Sequence, residues 1–313
     1  MYEGKRVGVV VPAYDEEALI AATVTGIPSL ADRIIVVDDC STDRTSERAL
    51  ETGDERVEVI RHEQRGGVGA AILTGYRRAL EDGIDVVVCM NGDNQMDPTE
   101  LPGLLDPVVR GEVDYAKANR LASGEAWQLI PKLRFFGNAV LSMLTKVASG
   151  YWHVTDSQTT YTAISREMLA RLDLDRVYTN YGFPNDMLVH LNVWNARVRD
   201  IPSRPIYGVG ERSKMRYRHV VPRIAWLLLG GFFWRLWEKY VKRDFHPLVF
   251  FYLLGIVAML AGIVLGAVVV GYRIAGSSIP IATVVLVALL VLSGSQFTLF
   301  AMWFDAETNK HLR

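Results

Sequence analysis

Only two cysteines, Cys40 and Cys89, occur in the 313 residues. Such scarcity excludes a disulfide framework, and neither residue has metal-pair spacing; a reducing compartment is the simplest setting. A dominant charge is also missing. The formal net charge is −1, which leaves no basic excess for a nucleic-acid partner. No apolar leader opens the chain: Met-Tyr-Glu-Gly-Lys-Arg runs directly into a strand-like segment, so no signal peptide is expected. The Gly-rich stretch "RGGVGAA", residues 65–71, lacks the Gly-Lys-Ser/Thr ending of a P-loop and does not fit Gly-x-Gly-x-x-Gly. Two readings of it stay open: a phosphate cradle before a helix, or glycines that let a helix approach a sheet closely.

What is present is unevenly distributed. Residues 1–218 hold 26 Lys/Arg against 31 Asp/Glu, whereas residues 219–313 hold eight against four. The second part also contains two uncharged runs, residues 247–272 and 274–304. Each exceeds the roughly 20 apolar residues that cross a bilayer. The spacing predicts membrane helices at about 247–272 and 279–304, joined by "RIAGSSIP" into an antiparallel hairpin. Arg235, Lys239, Lys242 and Arg243 precede the pair, and Lys310 and Arg313 follow it. The positive-inside rule then puts both flanks, including the 305–313 tail, in the cytoplasm. Residues 219–245, Trp- and Leu-rich yet cationic, suit one interfacial helix or two broken at Gly230-Gly231; a core helix of the first domain is the alternative.

Residues 1–218 alternate strand-like and helical segments: "RVGVVVP", "DEEALIAATVTGI", "RIIVVDD", "STDRTSERALE", "RVEVIRH", "GVGAAILTGYRRALEDG", "DVVVCMN". The alternation predicts an α/β domain, a mostly parallel Rossmann-like sheet with helices on both faces. Ligands of such sheets bind beyond the carboxyl ends of the strands. Three of those ends are unusually polar: Pro12-Ala13-Tyr14-Asp15-Glu16, Asp38-Asp39 and Asn91-Gly92-Asp93. Converging carboxylates favour a divalent cation carrying a diphosphate, with Asp93 on the metal and Asp38 or Asp39 accepting from a base or ribose. Asp97, by contrast, reads as an N-cap before Pro98.

The series "VVVPAYDEEALI", "IIVVDDCSTDRT", "RGGVGAAILTGYRRAL", "NGDNQMDP", "NR" (119–120), "RFFGN" (134–138), "TDSQTTYTAI" (155–164) and "RSKM" (212–215) resembles, in order and spacing, the family 2 inverting glycosyltransferases. Within them it is similar to the polyprenyl-phosphate hexosyltransferases, the dolichol-phosphate mannosyltransferase group. The resemblance covers residues 6 to about 218 and the hairpin that some members carry. It implies a GT-A fold, a nucleotide-sugar donor, a polyprenyl or dolichyl phosphate acceptor, Mg²⁺ or Mn²⁺, and a homo-oligomer at the cytoplasmic membrane.

By the same resemblance Pro12, Ala13, Tyr14, Glu16, Asp38, Asp39, Gly67, Asn91, Gly92 and Gln95 hold the nucleotide-sugar. Asp93, Gln95 and Asn91 hold the metal, Asn91 standing where the family has its first Asp. Arg120, Arg134, Asn138, Gln158, Ser213 and Lys214 fall near the acceptor phosphate. Asp156 orients the acceptor or an arginine, or acts as a base; Asp186 is the alternative carboxylate. A phosphate acceptor is already ionised near neutral pH and needs cations more than a base. His153 and His190 read as structural. A processive polysaccharide synthase is the rival enzyme, though its Gln-x-x-Arg-Trp string does not occur. A non-catalytic nucleotide-sugar-binding subunit is the rival of another class.

Overall fold

The computed structural model describes residues 1–122, 132–206 and 217–313. These divide into two compact units, Met1–Phe233 with His311–Arg313, and Trp234–Lys310.

The first unit is built on seven strands: β1 (Val7–Ala13), β2 (Arg33–Asp38), β3 (Val57–Arg61), β4 (Val86–Cys89), β5 (Tyr115–Asn119), β6 (Thr162–Ser165) and β7 (Val198–Pro202). Their order across the sheet is β3-β2-β1-β4-β6-β5-β7. All pairings are parallel except those of β6, which runs against both β4 and β5. The helices of this unit are α1 (Ile20–Gly26), α2 (Thr45–Leu50), α3 (Val68–Glu81), α4 (Leu101–Val109), α5 (Lys132–Ser149), α6 (Arg166–Arg171), α7 (Phe183–Val193) and most of α8 (Tyr217–Arg235).

Every residue of β1 is buried, as a strand covered on both faces must be. Alternation along the strands divides the core into two layers. Val10, Ile35 and Val87 join Ile72 and Tyr76 of α3 and Met187 of α7 on one face. Val9, Val11, Ile34 and Val88 join Val24 of α1 and Leu104 of α4 on the other. At Gly75 of α3 an added Cβ would stand 2.2 Å from Val10 Cγ1, so α3 lies closer to the sheet than any side chain would permit. The 3₁₀ turn Pro98–Glu100 has the expected cap: Asp97 accepts from Thr99 N.

The second unit holds a π-helical stretch, Leu236–Arg243, and two long helices, α9 (Leu248–Ile274) and α10 (Ile281–Thr308). Both are long and apolar enough to cross a membrane, with mean hydropathies of 2.8 and 2.2. They pack closely where glycine allows it: a Cβ on Gly255 would meet Thr298 Oγ1 at 2.5 Å, and one on Gly294 would meet Met259 N at 2.6 Å. Of the two alternatives, one helix or two broken at Gly230-Gly231, the unbroken helix is the one present. The helix runs through both glycines and changes hand-hold only after Arg235, where the π turn begins.

Candidate active site

The register of the sheet brings the polar strand ends to one edge. Ala13 lies opposite Asp38, Asp39 N donates to Ala13 O at 2.9 Å, and Gly92 N donates to Pro12 O at 3.1 Å. Pro12, Ala13, Asp39 and Gly92 therefore meet at a single corner. A side chain on Gly92 would press on Ile20 Cδ1 at 3.0 Å and Ala13 Cβ at 3.2 Å, so this backbone passes close to β1.

Four of the acidic residues expected to bind or catalyse have sharply different surroundings. The Asp38 side chain is fully buried; its carboxylate accepts from Ser41 N at 2.8 Å and from the Ser46 hydroxyl. Both of its oxygens are thus engaged within the protein. Asp39 is nearly as buried and clamps the Gly-rich loop, accepting from Gly66 N and Gly67 N, both at 2.8 Å. His62 Nδ1 lies 2.9 Å from the same carboxylate. Asp186 accepts from Tyr178 N at 2.8 Å and so holds a turn, with His190 Nε2 at 3.5 Å. Asp156 is buried and paired with Arg120, which donates through Nε at 2.8 Å and Nη2 at 3.2 Å. Burial pushes the Asp156 carboxyl up, but the charge and hydrogen bonds of Arg120, helped by Lys117, outweigh it and hold the group down at about 2. In this setting Asp156 fixes the orientation of the Arg120 guanidinium.

The glycines of this loop pack closely on the segment Thr179-Asn180. A Cβ on Gly67, where φ is +97°, would lie 2.5 Å from Asn180 Oδ1, and one on Gly69 would lie 2.7 Å from the Thr179 backbone. Ala70 N donates to Thr179 O, and Gly66 and Gly67 line a cavity together with Tyr178, Asn180 and Arg223. Arg65 of this loop stacks on the Tyr14 ring, its guanidinium carbon 3.8 Å from the centroid. Tyr14, Arg65 and Asp39 thus form one wall at the β1 and β2 ends, and Glu16 begins the next turn, its N–H donating to Thr45 Oγ1.

The loop after β4 forms the other wall. Asp93 Oδ1 accepts from Gln95 N at 3.2 Å, and Gln95 Nε2 donates to Ile206 O at 3.3 Å. Asn91 Oδ1 accepts from Thr160 Oγ1 at 2.8 Å. That bond ties the loop to the segment bearing Asp156 and Gln158, so the two halves of the expected site adjoin. Among the described residues no group of three or more His, Cys, Asp or Glu could hold a metal ion alone. One carboxylate flanked by amides still suits a hard cation that takes its other oxygens from a diphosphate and water.

Gln158 donates through Nε2 to Ser157 Oγ at 2.8 Å, and Asn138 lies half-buried on α5. Ser213 and Lys214 lie outside the described residues, as does the side chain of Arg134. His153 Nε2 donates to Val198 O at 2.8 Å, its ring edge-on to Tyr151. Sequence reasoning missed Lys117, His62, Thr160 and Arg65. Lys117 is fully buried on β5, its ammonium on Asp156 O and its pKa pushed down by burial. A lysine between alanines gives no strand signal, and the other three carry none beyond their position.

Residues 8–173 match glycosyl transferase family 2. The UDP-N-acetylglucosamine–dolichyl-phosphate N-acetylglucosaminyltransferase of Methanococcus voltae is 29% identical over 65% of this chain and 86% of its own length. The polyprenol monophosphomannose synthase of Mycolicibacterium smegmatis is 31% identical over 72% and 88%. Glucosyl-3-phosphoglycerate synthase of Mycobacterium tuberculosis, solved with UDP, has a TM-score of 0.57 at 22% identity, covering 74% of this chain and 80% of that one. That likeness concerns the fold alone, and the fold is GT-A.

Proposed function

The chain belongs to glycosyl transferase family 2 and is a glycosyltransferase; from that premise we propose that it moves a hexose from a nucleotide-sugar to a polyprenyl or dolichyl phosphate, with inversion. The observation that carries the acceptor class is the Arg120–Asp156 pair. A hydroxyl acceptor must lose a proton as the bond forms, yet Asp38, Asp39, Asp156 and Asp186 are each committed to partners within the protein. A phosphate monoester is already ionised and asks for a rigid cation. Arg120, locked in orientation by a buried carboxylate, is such a cation, and Arg134 and Lys214 are its proposed companions.

In the reaction an acceptor phosphate oxygen forms a bond to the anomeric carbon while the bond from that carbon to the nucleoside diphosphate breaks, its electron pair leaving on the diphosphate. Tyr14 and Arg65 wall the nucleoside, Gly92 lets the sugar phosphate approach, and Arg120 aims the acceptor. Asp93, with Gln95 and Asn91, would hold Mg²⁺ or Mn²⁺, which when bound neutralises the leaving diphosphate. We assign residues 1–218 to the catalytic domain, 219–245 to the membrane interface, 246–304 to a transmembrane hairpin and 305–313 to a cytoplasmic tail. The domain faces the cytoplasm, where the lipid headgroup is within reach. Transfer of radiolabelled sugar from UDP- and GDP-hexoses by purified protein tests the proposal; transfer to glycan hydroxyls but never to a polyprenyl phosphate would overturn it.

A further inference from the structure

Asp39 is engaged from three sides. Its Oδ1 accepts from Gly66 N at 2.8 Å and faces His62 Nδ1 at 2.9 Å, and its Oδ2 accepts from Gly67 N at 2.8 Å. A ring nitrogen held against a carboxylate must carry the hydrogen, so Nδ1 donates. In the neutral ring Nε2 then accepts from the hydroxyl of Thr74, 2.9 Å away on α3. Thr74 thus fixes the tautomer of His62, and His62 fixes the plane of the carboxylate.

A carboxylate has about four acceptor positions, two on each oxygen. Among the described residues two donors fall on Oδ1 and one on Oδ2, which leaves a single position, on Oδ2. The count matters because of where Asp39 stands. Its N–H is bonded to Ala13 O at the corner that Gly92 also joins, and the loop it clamps lines a cavity of about 450 Å³ through Arg65, Gly66 and Gly67. Arg65 also lies over the Tyr14 ring. An aromatic face, a guanidinium and a carboxylate with one free position therefore share one neighbourhood.

Nucleobases differ in what they show to such a group. Uracil presents one N–H, at N3, between two carbonyl oxygens. Guanine presents two donors side by side, N1–H and its exocyclic amine, next to one carbonyl. Cytosine presents a bare N3, which is itself an acceptor. One free carboxylate position beside a guanidinium answers uracil, with N3–H on Oδ2 and a carbonyl on Arg65. It leaves one guanine donor unpaired, and it sets lone pair against lone pair on cytosine.

We propose that the Asp39–His62–Thr74 relay makes this a uridine-nucleotide site, so that the donor is a UDP-hexose rather than a GDP-hexose, with His62 as the positioning residue that sets the choice. The inference deepens the donor reading above and rests on Asp39 serving the nucleoside.

Calorimetry on the full chain with Mn²⁺ and UDP, GDP or CDP tests it, since the three share a diphosphate and differ in the base. No acceptor is needed, so the result does not depend on the lipid-phosphate reading. The cost of one unpaired donor should weaken GDP about fivefold or more relative to UDP, and CDP by at least as much. Equal binding of all three, or tighter binding of GDP, would overturn the proposal. Binding of none would overturn the nucleotide-sugar reading and the base choice with it. His62→Phe keeps a ring but no donor, which frees the carboxylate to turn and offer a second acceptor. UDP should then bind more weakly, and the preference for UDP over GDP should fall towards one. His62→Asn, whose amide hydrogen can replace that of Nδ1, should restore most of the preference. Mere loosening of the loop would weaken all three nucleotides alike, so a preference that His62→Phe leaves unchanged would refute the relay.

Discussion

Replacing Asp156 by Asn removes one charge and little volume, and the structure fixes what should follow. The Asp156 carboxyl lies at about 2 rather than 3.8; at about 1.4 kcal/mol per pH unit, the folded state gains about 2.5 kcal/mol from its ionised form. Because its folded value is depressed, that contribution is complete above pH about 4 and disappears as pH falls towards 2. The variant should lack it at every pH, with a melting temperature about 5–10 °C lower near neutrality and a flatter acid limb. Function should divide the same way. Arg120, 27% exposed in its side chain, would remain but lose its fixed aim, and a charge-assisted contact to phosphate is worth about 1.5–3 kcal/mol. Transfer at limiting polyprenyl phosphate should therefore fall about 10- to 150-fold. Donor affinity, read by calorimetry, should stay within about twofold, since Asp156 contacts Arg120 and Gln158 of the proposed acceptor half. Arg120→Lys, which keeps the charge without the two-pronged grip, should show the same division without the acid-limb change. If either substitution weakened donor binding while acceptor saturation stayed as it was, this pair would belong to the donor and its assignment would fail.

Asp93→Asn should nearly abolish transfer with the melting temperature unchanged, and chelation should silence the unaltered enzyme until Mn²⁺ or Mg²⁺ is returned; activity persisting in excess EDTA would exclude the metal role. Gly69→Ala places a methyl 2.7 Å from the Thr179 backbone and should cost about 1–3 kcal/mol through overpacking, seen as a lower denaturation midpoint. The side chains of Arg235 and Asp305 are both fully buried, so Arg235→Met should cost about 3–5 kcal/mol. Adding Asp305→Leu should return most of it in a double-mutant comparison.

The sequence is most readable where a single force dominates. β1, β2 and β4 are nearly continuous apolar runs, and the chain beyond their ends, at Ala13, Asp39 and Gly92, meets as the alternation implies. β5 is invisible because its middle residue is the buried Lys117, and β6 because four residues, Thr162–Ser165, carry no direction. Direction is decided by pairing, which composition does not encode. The same limit applies to the carboxylates. Asp38 and Asp39 are neighbours of one residue type, yet one faces Ser46 and the other the backbone of Gly66 and Gly67; only the fold separates them. Asp156 was legible as important, but its role depended on a distance to Arg120 that spans 36 residues of sequence.

The reversed strand β6 has a consequence for synthesis. The donor wall rests on β1 to β4, whose pairings close within the first 89 residues. Arg120 and Asp156 stand beside strands whose partners come much later: β4 waits for β6 at 162–165, and β5 waits for β7 at 198–202. Chains leave the ribosome amino end first, at about 5–20 residues per second. For several seconds the nascent chain therefore holds the strand ends of the proposed nucleoside corner beside an unpaired β4 edge. That edge is a strand-pairing hazard which β6 removes, and the strand that removes it also delivers Thr160 to Asn91, joining the proposed donor and acceptor walls in one folding step.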